Sequence, residues 1–239
     1  MNRIPQLLIV AFLAGLTICA QAQIQTGYWK GELQRQGNLA VPVVFAFDNA
    51  TLYFINAGEK IEVVDLTFKH DSVFFAMPVF ESIFRLKKIN EYELSGEWWK
   101  GAADGWSIWK FRARAASDSL RFGKGEAIGV DLSGKWAFDI TRTNGTHRQA
   151  VGEFESAEKA GITGTVRTPS GDYRYMDGIV RNDSLLIATF DGSHAFFMMA
   201  KIADANNLSG GVFYTGGWPT ETFTATKNDY AALPEIVLS

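Results

Sequence analysis

Two turn segments in the second half of the chain carry the side chains best suited to chemistry. Carboxylate, phenol and imidazole groups stand within a few residues of glycine turn signals there, and such groups can bind a polar ligand or exchange protons with it. If the two turns meet in space, they form a ligand-binding site, or the acid and base of a hydrolase. The alternative is ordinary turn chemistry, in which Asp and Gly simply favour hairpin turns. The candidate residues are Asp172, Tyr173, Tyr175, Asp191 and His194.

Four tryptophans crowd into one predicted hairpin, residues 97–110. Exposed tryptophan rings could stack on sugar rings or dock a partner, because each has a flat apolar face and a polar edge. On that interpretation, Trp98 and Trp106 are candidate ligand contacts. The alternative is aromatic pairing across the hairpin, which stabilises a sheet without any ligand.

Several kinds of site are not predicted. The three histidines, His70, His147 and His194, are too scattered for metal-ligand spacing. The sequence has no Gly-x-Ser-x-Gly nucleophile motif, no P-loop and no dinucleotide-binding glycine pattern. We therefore predict no catalytic residue, no metal and no cofactor, and we do not expect this chain to be an enzyme by itself.

The N-terminus has the pattern of a secretory signal peptide. A basic residue, Arg3, precedes a short apolar run that ends near the small-residue pattern Ala20-Gln21-Ala22. We predict that residues 1–22 are removed and that the protein is exported to the periplasm or cell envelope. Lipid anchoring at Cys19, the only cysteine, is the less favoured alternative because bulky Ile18 precedes it.

Charge and hydropathy argue against a nucleic-acid-binding protein and against a protein with a transmembrane helix. The formal net charge is −3 and the basic residues are scattered, so a nucleic acid partner is not expected. No apolar stretch reaches the roughly 20 residues that a transmembrane helix needs.

Hydrophobic residues alternate with period two along most of the chain, and the pattern repeats. Alternation over short segments bounded by glycine turns is typical of half-buried strands. Asp71-Ser72 recurs as Asp183-Ser184, and Gly27-Tyr28-Trp29 recurs as Gly134-Lys135-Trp136. The sequence therefore predicts an all-β protein with two repeated antiparallel β-barrel or sandwich domains in tandem, each lipocalin-like in opening on Gly-x-Trp.

The repeat also sets the predicted domain boundaries. The second copy should begin close to Gly134, and the Gly-rich stretch before it has no sustained apolar face. The predicted organisation is a signal peptide at 1–22, a first domain at 23–116, a linker at 117–130, a second domain at 131–227 and a C-terminal tail at 228–239.

Five segments together resemble a known family. They are Gly27-Tyr28-Trp29-Lys30-Gly31, Asp131-Leu132-Ser133-Gly134-Lys135-Trp136, Ala150-Val151-Gly152-Glu153-Phe154, Thr168-Pro169-Ser170-Gly171-Asp172-Tyr173-Arg174-Tyr175 and Phe190-Asp191-Gly192-Ser193-His194-Ala195-Phe196. The chain is similar to the β-rich N-terminal region of exported TlpA-like thiol-disulfide reductases, in which a thioredoxin-like domain follows. The reductase chemistry needs a Cys-x-x-Cys pair, which this sequence does not contain.

The resemblance implies a non-catalytic module that binds or positions a substrate or a partner for a thioredoxin-like domain or protein. The alternative is a free-standing lipocalin-like protein with a small ligand inside one barrel, which requires an interior cavity.

Overall fold

A computed structural model describes residues 24–125, 130–157, 161–217 and 219–234. The predicted signal peptide and Cys19 lie outside these ranges, as does the end of the predicted C-terminal tail. Within them, every regular element is a β-strand. No helix long and apolar enough to cross a membrane occurs in the same ranges.

The first domain is a nine-stranded antiparallel sheet that curls into a nearly closed barrel. Its spatial order is β4-β3-β2-β1-β9-β8-β7-β6-β5, so the first and last strands of the domain pair in the middle of the sheet. The strands are β1 (Gly27–Gln34), β2 (Val41–Asp48), β3 (Thr51–Asn56), β4 (Glu59–Glu62), β5 (Val64–Lys69), β6 (Ser72–Ala76), β7 (Ser82–Asn90), β8 (Glu93–Ala102) and β9 (Gly105–Ala115).

The second domain is a closed eight-stranded barrel. Each strand pairs with the next along the chain, and β10 pairs with β17 to complete the ring. The strands are β10 (Gly134–Thr141), β11 (His147–Ala157), β12 (Gly161–Thr168), β13 (Gly171–Arg181), β14 (Ser184–Phe190), β15 (Ala195–Asp204), β16 (Asn207–Tyr214) and β17 (Glu221–Lys227). The prediction of two tandem all-β barrel domains is confirmed.

The alternating pattern explains why each barrel has an apolar interior. Successive side chains of a strand point to opposite faces, so every second residue enters the core. The repeated tryptophans Trp29 and Trp136 are fully buried. Each indole N–H donates to a backbone carbonyl four residues earlier, that of Gln25 or Leu132, at 2.9 Å. This satisfies the one polar group of each ring.

The two barrels share a core. Ala188, Phe190, Ala195 and Tyr214 of the second barrel belong to the apolar cluster that fills the first. The Phe190 ring lies 4.8 Å from that of Phe54, centroid to centroid. The barrels are therefore packed together rather than joined only by the chain between them.

A buried arginine from the predicted linker binds both barrels. The Arg121 guanidinium donates to the backbone carbonyls of Pro42 and Ile55 in the first barrel, each at 2.8 Å. It also donates to the Asp177 carboxylate of the second barrel, at 2.7 Å from Nη2 and 3.0 Å from Nε. The side chain is 1% exposed. Such a buried cation needs this set of acceptors, because an unpaired one would be strongly destabilising.

Asn56 completes the contact between the barrels. Its side-chain amide donates to the Phe190 carbonyl at 2.7 Å, and its side-chain oxygen accepts from the Phe190 amide at 3.1 Å. The side chain thus makes the two hydrogen bonds that a neighbouring strand would make.

Candidate functional site

A cavity of about 720 Å³ lies where the barrels meet, and both contribute to its wall. From the first barrel come β4 and the loop between β6 and β7; from the second come the turn before β13, the start of β13, and the loop between β14 and β15. We call this cavity the inter-barrel cleft. Its lining residues are Glu59, Ile61, Pro78, Val79, Phe80, Thr168, Ser170, Gly171, Asp172, Tyr173, Tyr175, Thr189, Asp191, His194 and Phe196.

The five residues predicted from the second repeat lie together in this cleft. Asp172, Tyr173 and Tyr175 come from β13, and Asp191 and His194 come from the β14–β15 loop. The two turns therefore meet, which was the condition set by the sequence for a site. They do so because β12–β13 and β14–β15 are neighbouring hairpins of one closed barrel.

Asp191 organises its own loop. One oxygen, Oδ1, accepts from the backbone amides of Ser193 and His194 at 2.7 and 2.6 Å, and the other accepts from His194 Nδ1 at 3.0 Å. Burial raises the pKa of Asp191, but the hydrogen bonds from His194 and Ser193 outweigh it, so the pKa lies below its usual range. The carboxylate is therefore ionised at neutral pH and fixes the imidazole. A neutral ring that donates from Nδ1 presents Nε2 as an acceptor.

Aromatic rings form a continuous row along the cleft. The His194 imidazole is parallel to the Phe196 ring at 5.4 Å, with an interplanar angle of 8°. Phe196 in turn lies 4.4 Å from Tyr173. On the other side, Phe80 of the first barrel meets His194 edge-on at 6.4 Å. The row crosses the boundary between the barrels, so its spacing depends on how they pack.

The hydroxyl of Tyr173 is hydrogen-bonded to an arginine, Arg148. Arg148 Nη1 donates to its hydroxyl at 3.2 Å, and Arg148 Nη2 donates to Glu221 at 3.0 Å. The guanidinium is therefore paired with a carboxylate outside the cleft lining. The ring of Tyr173, rather than a positive charge, is what this part of the wall offers to a ligand.

Tyr175 has a strained backbone. It lies at an irregularity in the β12–β13 pairing, with a φ of 55° and a side chain that is 43% exposed. A positive φ is costly for a bulky residue and is more often found in Gly, Asn or Asp. Such strain commonly persists where a site requires a particular side chain. Tyr175 lines the cleft and also a neighbouring surface cavity.

The described lining side chains carry more acidic than basic groups. Its ionisable members are Glu59, Asp172, Asp191, His194 and the two tyrosines, and none of the described lining side chains is a lysine or an arginine. Lys100 on β8 interacts electrostatically with Asp191, and burial is the main reason why the Lys100 pKa is lowered.

The arrangement contains one element of acid–base chemistry and little else. The Asp191–His194 pair is in hydrogen-bond contact, as a hydrolase would need, but the described contacts bring no serine or other nucleophile to His194. No group of three or more His, Cys, Asp or Glu residues that could hold a metal ion occurs in the described ranges.

The two predicted tryptophan contacts lie elsewhere. Trp98 is fully buried in the first barrel, where its indole N–H donates to Ser82 Oγ at 2.5 Å and its ring packs on Trp109 and Phe190. Its prediction as a ligand contact is wrong, because no face of the ring reaches solvent. Trp106 is 49% exposed, pairs with Trp99 in the hairpin and does not line the cleft.

The sequence did not predict the wall that the first barrel contributes to the cleft. Glu59, Val79 and Phe80 stand in no motif, and Val79 is 79% exposed. The repeat itself was the available signal. The offset of 112 between Asp71 and Asp183 maps Val79 onto Asp191 (79 + 112), so corresponding loops of the two barrels face each other across the cleft.

Comparisons with known proteins give little guidance. No protein-family model and no curated protein matches the sequence. Among solved structures, a protein of unknown function from the DUF3598 family of Nostoc punctiforme has 10% identity and a TM-score of 0.28, covering 87% of this chain and 96% of that chain. A candidate outer membrane protein from Bacteroides fragilis has 8% identity and a TM-score of 0.27, covering 85% of this chain and 97% of that chain. Both scores are too low to carry an argument about this chain.

Proposed function

We propose that this protein is a non-catalytic binding module of the cell envelope and that its ligand site is the inter-barrel cleft. The observation that carries the proposal is the meeting of two polar, aromatic turns in a cavity of about 720 Å³. A volume of this size is typical of small-molecule sites, which often lie between domains. We propose a binding module rather than an enzyme because the sequence lacks a Cys-x-x-Cys and His194 has no described nucleophile beside it.

The packing favours the cleft over a barrel interior as the site. Large side chains fill the second barrel, among them Trp136, Phe138, Phe154 and Phe213, all at most 3% exposed. The first barrel is filled still more densely with rings, such as the stacked pair Phe75 and Phe84 at 4.6 Å. A lipocalin-like ligand inside either barrel would have to displace these side chains.

The proposed partner is a thioredoxin-like domain or protein of a TlpA-like system. What supports it is the resemblance of the second repeat, whose segments 168–175 and 190–196 also contribute the second-barrel wall of the cleft. In such a system the cleft would hold a substrate while the partner supplies the cysteines. The proposed location, periplasm or cell envelope, follows from the predicted signal peptide.

The test is to fill the cleft with a bulky side chain and to measure which bound molecules the protein then loses. Ser170 lies at the exposed tip of the β12–β13 turn and lines the cleft, so Ser170→Trp should obstruct it without disturbing the core. Purified protein would be incubated with envelope extract, and bound small molecules and captured proteins would be identified by native mass spectrometry. Ala103→Trp, in the exposed β8–β9 turn, is the matched control.

We expect wild type and Ala103→Trp to retain the same ligand and Ser170→Trp to lose it. Retention of every bound species by Ser170→Trp would contradict the cleft as the site. Capture of a Cys-x-x-Cys protein would support the proposed partner, whereas a small ligand without a protein partner would favour a free-standing binding protein.

A further inference from the structure

We infer that the ligand of the inter-barrel cleft is a neutral planar compound, an aromatic ring that carries a hydrogen-bond donor such as a hydroxyl or an indole N–H. This inference rests on the proposed function and adds the chemical class of the ligand. It is drawn from two properties of the cleft: an acceptor atom whose direction is fixed, and the rings and apolar side chains that surround it.

The fixed acceptor is on the imidazole of His194. Asp191 accepts from its Nδ1 at 3.0 Å, and that carboxylate is itself held by the backbone amides of Ser193 and His194. A neutral ring that donates from Nδ1 carries its lone pair on Nε2, in the plane of the ring. The side chain is 47% exposed and lines the cleft. Among the described residues, the ring hydrogen-bonds to Asp191 alone, so Nε2 is available to a donor on a ligand.

Each carboxylate of the lining already has a partner in the protein. Glu59 accepts from Asn56 Nδ2 at 3.5 Å, and Asp191 accepts from its own loop. Asp172 also has an interaction of its own. The imidazole is thus the acceptor that the cleft holds ready, and a neutral O–H or N–H group matches it without any opposite charge.

Rings and apolar side chains surround this acceptor. Phe196 is parallel to the imidazole, with an interplanar angle of 8° and centroids 5.4 Å apart, and Phe80 meets the imidazole edge-on at 6.4 Å. A donor bonded to Nε2 lies in the imidazole plane, so a planar ligand in that plane is also parallel to Phe196. The first-barrel wall adds Ile61, Pro78 and Val79, and Val79 is 79% exposed. A flat apolar ring would bury this surface.

Other classes of ligand match these features less well. A metal ion needs several ligands, and no group of three or more His, Cys, Asp or Glu residues that could hold one occurs in the described ranges. A sugar carries many hydroxyls, and those that face apolar side chains would be buried without a partner, which is costly. A ring without a donor would exclude water from Nε2 and leave that acceptor unpaired.

The experiment compares three neutral probes of similar size. 4-Ethylphenol is planar and has a donor, 1-ethyl-4-fluorobenzene is planar without a donor, and 4-ethylcyclohexanol has a donor but no flat ring. Each is titrated into the full protein at about pH 8 by ligand-observed NMR, since an ordinary imidazole is neutral there. We expect 4-ethylphenol to bind about fivefold more tightly than the fluoro compound, through one neutral hydrogen bond, and several-fold more tightly than the cyclohexanol.

Two variants locate the hydrogen bond. His194→Phe keeps a flat ring but removes the acceptor. The affinity ratio of 4-ethylphenol to 1-ethyl-4-fluorobenzene should therefore fall to about one, while the fluoro compound still binds. His147→Phe is the matched control, because His147 is paired with Asp139 at 2.8 Å in the same way but lies outside the cleft lining. It should leave the ratio unchanged.

The outcomes separate this inference from the proposed function. The inference is overturned if 4-ethylphenol does not bind, if it binds no more tightly than either of the other probes, or if its preference survives in His194→Phe. It is also overturned if Ser170→Trp leaves the binding of 4-ethylphenol unchanged, because the probe would then lie outside the cleft. The proposed function is judged separately, by whether Ser170→Trp loses the ligand that wild type retains from envelope extract.

Discussion

The two barrels follow one strand order but close in different ways. In the second barrel, β13 is an uninterrupted strand of 11 residues that pairs with β12 and, over its C-terminal half, with β14. In the first barrel the corresponding stretch is divided at Val63 into β4 and β5. Strand β4 pairs with β3, whereas β5 pairs with β6 alone. The ring of hydrogen bonds is therefore open between these two short strands.

The first barrel offsets the missing hydrogen bonds by packing aromatic rings and by sharing its core with the second barrel. Phe47 on β2 and Phe68 on β5 have ring centroids 6.4 Å apart, beside a cavity of about 400 Å³. Its core also includes four residues of the second barrel, whereas the core cluster of the second barrel contains only residues of its own domain and Val130. This difference suggests that the first barrel depends on the second for its stability and that the second does not depend on the first.

The largest effects should come from truncating the paired tryptophans. Trp29→Ala and Trp136→Ala should each lower the free energy of unfolding by about 3–5 kcal/mol, because both rings are fully buried and leave large cavities. Trp136→Ala should unfold both barrels in one transition, since the first loses Phe190 and Tyr214 from its core. Trp29→Ala should give two transitions, with the second barrel persisting to the higher denaturant concentration.

Hydrogen exchange resolved by segment, followed through a denaturant series, measures this directly. Protection of β10–β17 should outlast that of β1–β9 in Trp29→Ala only. A single shared transition in both variants would show that the dependence is mutual.

Arg121→Met tests the polar part of the same dependence. The substitution keeps an apolar side chain of similar length but removes the bonds to Pro42, Ile55 and Asp177. We expect a loss of about 3 kcal/mol, because buried acceptors and a carboxylate lose their cation. The loss should fall mainly on the first barrel.

The control is Arg85→Met, which removes an arginine that lies over the exposed face of Trp99. It should change the unfolding free energy by less than about 1 kcal/mol. Equal effects of the two variants in chemical denaturation would refute the role assigned to Arg121.

Glycines in the barrel walls should show how far each wall can shift. A Cβ at Gly178 would collide with the carbonyl oxygen of Leu186 on β14, and one at Gly96 would collide with that of Arg85 on β7. Relief requires the strands to separate, and β7 can move with β6 and β5 toward the open edge. In the closed barrel, every strand is bonded on both sides.

We therefore expect Gly178→Ala to cost about 3 kcal/mol and Gly96→Ala about 1–2 kcal/mol, as measured by chemical denaturation. The reverse order would mean that the open edge gives the first barrel no extra freedom.

The sequence predicts the strands, because their positions depend on the local alternation of apolar and polar residues. Alternation such as Val41, Val43, Phe45 places strands correctly because the pleat of a strand has a fixed period of two. It does not predict the opening after Val63, where the apolar positions shift by one residue, to Val64 and Leu66, and the pairing with β3 ends. A local irregularity marks the place, since Asp65 has a φ of 56° at a register shift in the β5–β6 pairing, but the path of β5 relative to β3 depends on the packing of the whole sheet.

Long-range contacts explain the other omissions. Arg121 stands in a Gly-rich stretch typical of an exposed linker, and it is buried only because carbonyls of Pro42 and Ile55 converge on it. The acidic and aromatic turns of the second barrel were identifiable by residue type. Their counterpart, Phe80, has no distinguishing sequence feature and becomes part of the cleft only when the barrels pack.

The smallest expected effect concerns pH, and it distinguishes the two loops that face each other across the cleft. The β14–β15 loop is held by the Asp191 carboxylate, whose pKa in the folded protein is below its ordinary value of about 4. A lowered folded-state pKa contributes stability that is present above the unfolded pKa and is lost as the pH falls through the folded pKa. Below about pH 4, the hydrogen bonds to Ser193 and His194 should therefore weaken, at a cost of less than about 1 kcal/mol because Asp191 is partly exposed.

Amide exchange of residues 191–194 between about pH 6 and pH 3, corrected for the intrinsic pH dependence, would measure this loosening. In Asp191→Asn, this loop should already exchange faster at pH 6, and its exchange should show no further change at lower pH because the variant has no charge to lose. In the opposite loop, between β6 and β7, the Met77 amide donates to the Ser82 carbonyl at 2.8 Å, and it should keep its protection over the same range because that hydrogen bond involves no carboxylate. Equal loosening of both loops would show that acid disturbs the packing of the barrels as a whole, and the pH response could then not be assigned to Asp191.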